Sequence, residues 1–269
     1  QKTPLHEDLL AHTYSAVADV CSSMGEYKEA VKNYELALKF SQKFDPPDSE
    51  TVATSFNNLG LAKGNIDCHE EALPLLKEAL RIRRKKLGRH HKNTTSTINN
   101  IGCIYSAHGD EKKALRYFSK ALDAQEKVLD GSDPYLADSH VNIGFTLLSI
   151  GDLDSANKHF EKALQIDLVN FGEFHPSTGI SFGGLAKVLS LRGEHRQALT
   201  LYQKATVIHE RSLGPAHPHT ITSVLGCATA LAQLGDVASM KALHKRYAKS
   251  LIAEVGASSR QYFKLAQGF

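Results

Sequence analysis

No run of eighteen apolar residues occurs anywhere in these 269 residues, which leaves no segment fit to span a membrane as a helix. The start of the chain shows no basic-then-apolar stretch of the secretory type. Cysteine is scarce: Cys21, Cys68, Cys103 and Cys227 stand far apart, with no C-x-x-C spacing. A secreted disulfide framework is denser and shorter, so these read as free thiols of a reducing compartment, and a cytoplasmic location is expected. Charge of one sign is also missing. A net charge of +3 and a pI near 8.6 are too mild for a typical nucleic-acid binder. No acid/base pair, phosphate loop or zinc knuckle is present, so neither catalysis nor a cofactor is expected. With 42% hydrophobic and 23% charged residues, the composition is that of a soluble, folded chain.

What the chain has in abundance is repetition. One column, read every 42 residues, runs Gly25, Asp67, Gly109, Gly151, Gly193, Gly235. A second is small throughout: Ala18, Gly60, Gly102, Gly144, Ala186, Ala228. Two alanine columns start at Ala30 and Ala37 and continue to Ala198 and Ala205. Another is aromatic or apolar: Tyr34, Leu76, Phe118, Phe160, Tyr202. Within one copy the apolar positions advance by threes and fours, as in Ala114, Leu115, Phe118, Ala121 and Leu122. Each copy is therefore a helix A, a turn at the glycine and a helix B. The glycine suits a turn of positive φ. The small column lets the two helices approach, leaving room for Phe118 and Tyr105 to interlock.

The phrase "LGPAHPHT" at Leu213–Thr220 recurs as "FGEFHPST" at Phe171–Thr178. Its Gly172 or Gly214 closes a helix B. Pro134, Pro176 and Pro218 take the first position of a new helix A, where a missing N–H costs nothing. Asp133, just before Pro134, is placed to cap it.

These columns are the tetratricopeptide pattern. With "NNLG" at Asn57–Gly60, "EALPLLKEALRIRRKKLG" at Glu71–Gly88 and "LGPAHP" at Leu213–Pro218, the chain resembles the kinesin light chain type. Pro74, inside helix B of copy two, fits that wording too, and should bend its helix near the start. The resemblance implies an all-α fold, an α-solenoid of about six helix-turn-helix repeats in a right-handed superhelix over residues 1–256. Copy six is worn, with Met240 and His244 in place of the alanine and the aromatic. Residues 257–269 are expected to add a capping helix. The resemblance also implies a peptide-binding adaptor, with motor or cargo proteins as partners. Copy five departs from the family wording, reading "GGLA" at Gly183–Ala186.

In such solenoids helix A lines the concave face. The inward positions are Thr54, Asn57, Asn58 and Leu61 in copy two, and Ser96, Asn99, Asn100 and Cys103 in copy three. Copy four offers Asp138, Val141, Asn142 and Phe145. Asparagine is a poor helix former, so Asn58, Asn100 and Asn142 at one phase call for a reason. A carboxamide both donates and accepts, and a ladder of them suits the backbone of an extended peptide. Equally, the ladder suits a tie between neighbouring helices.

"RIRRKKLGRHHK" at Arg81–Lys92 is the densest charge in the chain. It reads as a solvated helix end complementing the dipole, or as a rim, through Arg83 and Arg84, that attracts an acidic peptide. A clamp for chaperone tails needs cations where this chain has Ser15, Ser96 and Asn100. "GISFG" at Gly179–Gly183 matches a nucleophile elbow, but Ser181 falls inside a helix A and no strained turn can form. Two functions remain open: an adaptor that binds a linear peptide, and a scaffold that self-associates or docks a domain of its own chain.

Overall fold

The computed structural model describes the backbone of residues 5–255 and the side chains of residues 9–248. Among the described residues there are twelve helices and no strand. They form two compact units, divided between Leu129 and Asp130. The first holds α1 (Leu5–Ser23), α2 (Tyr27–Phe44), α3 (Glu50–Gly64), α4 (His69–Leu87), α5 (Lys92–Ala107) and α6 (Glu111–Gln125). The second holds α7 (Pro134–Ile150), α8 (Leu153–Phe171), α9 (Pro176–Leu191), α10 (His195–Leu213), α11 (Pro218–Leu234) and α12 (Val237–Val255). Odd-numbered helices are helix A of a repeat and even-numbered ones helix B. Short turns make each A–B pair an antiparallel hairpin. The fold class is all-α, built of helical repeats as a solenoid is.

Every member of the turn column has positive φ, from 60° at Asp67 to 92° at Gly151. Asp67 is the one non-glycine among the described residues in that region. Its short side chain tolerates the left-handed conformation better than a bulky residue would.

Packing inside each hairpin follows from the small column. A Cβ placed on Gly102 would lie 2.6 Å from the ring of Phe118, and one on Gly144 would lie 2.8 Å from Phe160. All ten members of the alanine columns, from Ala30 to Ala205, are fully buried. Tyr105 stacks on Tyr117, ring centroids 5.4 Å apart, and the Phe118 ring fills the space facing Gly102. Helix α4 runs continuously through Pro74.

The recurrent phrase at the junctions ties helix ends together. Pro134, Pro176 and Pro218 open α7, α9 and α11. Asp133 caps Tyr135 N–H at 2.9 Å. His175 and His217 act likewise, their Nδ1 atoms accepting from Ser177 and His219 N–H at 3.2 Å. Two residues after each of these last two prolines a threonine reaches back. Thr178 donates to the Gly172 carbonyl at 2.7 Å and Thr220 to that of Gly214 at 2.8 Å. The closing helix expected over residues 257–269 lies outside the described residues. In the worn sixth copy, Tyr247 is buried and its hydroxyl donates to Glu210 at 2.9 Å, binding α12 to α10.

Candidate functional site

Helix B carries a polar residue at one buried position in copies one to five: Ser41, Arg83, Gln125, Asp167 and His209, each 42 residues after the last. Fourteen residues further on, helix A of the next copy places a hydroxyl: Ser55, Thr97, Ser139, Ser181, Ser223, all buried. At three of these steps the two columns meet. Arg83 Nη1 donates to Thr97 Oγ1 at 2.8 Å, Ser181 Oγ donates to Asp167 at 2.8 Å, and His209 Nδ1 lies 3.0 Å from Ser223 Oγ. Buried polar groups need such partners, and here they fasten one repeat to the next. Burial pushes the Asp167 carboxyl pKa up, against the pull of the Ser181 hydroxyl. It pulls the His209 imidazole down, opposed by the hydrogen bond to the Pro176 carbonyl. The hydroxyl column was legible as a period of 42. Its partner column was not, because no two of its members share a chemistry.

Arg83, expected on an exposed rim, is a correction. It is buried, with Nε on Glu50 Oε1 at 3.0 Å and Nη2 on Thr54 Oγ1 at 3.0 Å. A guanidinium with five donors and no acceptor satisfies several partners at once, and here it joins α3, α4 and α5. Arg84 is exposed, whereas Arg81 and Lys85 are engaged by Asp48.

The other inward positions divide by unit. In the first, Asn100 Nδ2 donates to Asn57 Oδ1 at 3.0 Å and Asn57 Nδ2 to Asn58 Oδ1 at 3.2 Å, a carboxamide chain from α5 to α3. Asn57 is buried, while Asn58, Asn99 and Asn100 are half-buried. Leu61 packs against the core formed with α4 and α5, and Ser96 and Cys103 face solvent. In the second unit Asp138 is exposed, and Val141 and Asn142 are half-buried. Phe145, 42% exposed, stands edge-on to Phe160 with centroids 4.9 Å apart.

Phe145 also borders a cavity of about 600 Å³, the feature the residue-by-residue reading did not locate. Its walls are helix A residues: Phe145 and Leu148 of α7, Ile180, Gly183 and Lys187 of α9, and Thr222 and Leu225 of α11. Apart from Leu148, they occupy the same columns as the inward residues of copies two and three, carried on into copies four to six. In copies two to four the column of Asn58, Asn100 and Asn142 carries a side chain. In copies five and six it holds Gly184 and Gly226. The reason is steric: a Cβ on either would lie 2.4 Å from the ring of Phe160 or Tyr202. Gly183 differs, with open space where its Cβ would be. Tyr202 and His209 reach the cavity from α10, and Lys187 is the only fully charged one among the described residues lining it. This volume is in the range of sites for small groups and side chains.

Two other histidines face one another where copies two, three, five and six carry aliphatic or aromatic residues. His140 Nδ1 and His159 Nδ1 are 2.9 Å apart, between α7 and α8. Burial draws the pKa of His140 down to about 4 and lowers that of His159. Among the described residues no group of three or more potential ligands for a metal ion occurs, and no helix is long and apolar enough to cross a membrane.

Sequence models of the tetratricopeptide repeat match residues 51–127 and 135–208, and a further one matches residues 11–44. None of the curated proteins matches this sequence. Among solved structures, a Podosopora anserina protein described by kinesin light chain nearly identical TPR-like repeats is 20% identical. The match covers 79% of this chain and 99% of that one, with a TM-score of 0.64. BtubC (BKLC) from P. vanneervenii is 21% identical over 78% of this chain and 84% of its own, with a TM-score of 0.65. The apo form of RapI is 15% identical, covering 96% of each chain, also at 0.65. At these identities the likeness is one of fold.

Proposed function

The chain belongs to the tetratricopeptide-repeat family, and from that premise we propose that it is a non-enzymatic interaction module holding a linear peptide in the groove of α7, α9 and α11. The observation that carries this is the cavity: apolar walls, a glycine floor open at Gly183, and one cation at Lys187. Recognition sites of this kind combine apolar area with a few polar groups that fix orientation. Phe145 is the member of the expected inward set that borders the cavity. Within this groove the cationic role falls to Lys187; Arg83, on α4, has its donors occupied. An adaptor for motor or cargo proteins in the cytoplasm is the finer proposal, resting on resemblance to kinesin light chains. Ser181, bonded to Asp167 inside a helix, supports a module without catalysis.

A peptide-library screen against the whole chain tests the proposal, paired with Gly183→Leu to fill the groove. Saturable binding that Gly183→Leu abolishes, with the helical circular-dichroism signal unchanged, is the expected result. Peptides that bind both forms equally would move the site elsewhere. Concentration-dependent oligomers with no peptide binding would favour the scaffold instead.

A further inference from the structure

Three imidazoles stand in a row where α11 begins. The rings of His217 and His219 are 5.2 Å apart, and those of His219 and His209 are 5.5 Å apart. His219 and His209 both line the cavity. The hydrogen bonds around His209 suit either protonation state. When the ring is neutral, Nε2–H donates to the Pro176 carbonyl at 3.2 Å and the bare Nδ1 accepts from the Ser223 hydroxyl at 3.0 Å. When it is charged, Nδ1–H donates to Ser223 Oγ, and the hydroxyl hydrogen turns to the His219 carbonyl, 3.0 Å away. Only one hydroxyl has to rotate.

Among the described residues, the titratable groups facing His209 are His217 and His219 from the α11 side, and Lys187 of α9 lines the same cavity. On α10 itself the next residue is Glu210, which Arg246 and Tyr247 of α12 hold at 2.7 and 2.9 Å. Among the described residues no carboxylate lines the cavity. Charge on these imidazoles therefore lacks a partner until an anion enters.

We propose that this groove is a proton-linked site, which takes an anionic segment more tightly as His219 and His209 gain charge. It rests on the peptide-site proposal above and adds its regulation. A ligand that prefers the protonated form raises the imidazole pKa values and takes up protons as it binds, because the two equilibria share one coupling energy.

The probes are N-acetylphenylalanine, an apolar carboxylate, and its uncharged amide, titrated into the full chain by NMR at pH 7.5 and 5.5. The carboxylate stays ionised across that range. Its affinity should rise about threefold to tenfold on acidification, the scale of one added ion pair of about 1 kcal/mol, while that of the amide stays level. His219→Gln, at an exposed position, should remove most of the rise. His209→Gln should do the same where the fold is kept. Lys187→Gln should weaken the acid at both pH values alike. An acid affinity that ignores pH, or a rise untouched by His219→Gln, overturns the proton linkage while leaving the groove standing. Binding of neither probe overturns both.

Discussion

Ser181 gives its hydroxyl hydrogen to the carboxylate of Asp167 across 2.8 Å, and both residues are almost wholly shut off from water. A helix-A hydroxyl thus closes the interface left by the preceding helix B. Ser181→Ala would leave that carboxylate buried without the bond, a loss of about 1.5–3 kcal/mol for a hydrogen bond to a charged group. Urea unfolding should show the deficit at pH 7. Because burial raises the Asp167 pKa, its folded form holds a proton more readily than its unfolded form. The stability it contributes is complete below the ordinary carboxylate pKa and is lost as pH rises through the raised value. Asp167→Asn, which carries no charge, should therefore be no less stable than the parent at pH 7.

Arg83 and Arg84 are neighbours in sequence with opposite expected outcomes. Arg83→Gln removes the donor to Glu50, which keeps about a third of its side chain in water, so the cost should fall near 2 kcal/mol, below that of a fully buried pair. Arg84→Gln should stay within about 0.5 kcal/mol of the parent. Chemical denaturation of both variants checks this, and equal effects would contradict the burial of Arg83.

Asn100 donates to Asn57 rather than projecting free. Asn100→Ala should lower stability by about 0.5–1.5 kcal/mol, the value of one neutral hydrogen bond, despite alanine's better helix propensity. A melting temperature that rises instead would show the carboxamide chain to contribute nothing.

Between α7 and α8, His140 and His159 share one N–H···N bond at 2.9 Å. Both have pKa values depressed in the fold, that of His140 to about 4 from 6.5. The unfolded chain therefore binds protons first: stability is whole above about pH 6.5 and drains away as pH falls towards 4. Thermal melts between pH 7.5 and 4.5 should decline. The double change His140→Ile with His159→Leu, residues that other copies carry at these positions, should flatten that decline.

Asp67 sits at φ 60° where the other five copies have glycine. The left-handed conformation costs an ordinary residue about 1–2 kcal/mol, and glycine's extra unfolded-state freedom returns roughly 0.5–1 of it. Asp67→Gly should thus stabilise the chain by up to about 1 kcal/mol in urea unfolding, and a loss would locate unexpected value in the aspartate.

The repeat was legible in the sequence because its causes are local. A turn of positive φ needs a glycine, a close helix crossing needs a Cβ removed, and a helix start takes proline, so each leaves one residue type at a 42-residue interval. Asp67 announced its strained turn by standing in a glycine column. The hydroxyls that receive Arg83, Asp167 and His209 were also periodic, but their partners were not. A buried donor or acceptor needs only a complementary atom within reach, which arginine, aspartate and histidine all supply. Which cations are exposed was likewise undecided by the run "RIRRKK": successive helix positions turn by about 100°, and only packing of α4 against α3 and α5 put Arg83 inside and left Arg84 outside. The cavity, finally, belongs to no single segment. It arises where α7, α9 and α11 come together and where the rings of Phe160 and Tyr202 occupy the space above Gly184 and Gly226, a matter of volumes that only the assembled unit decides.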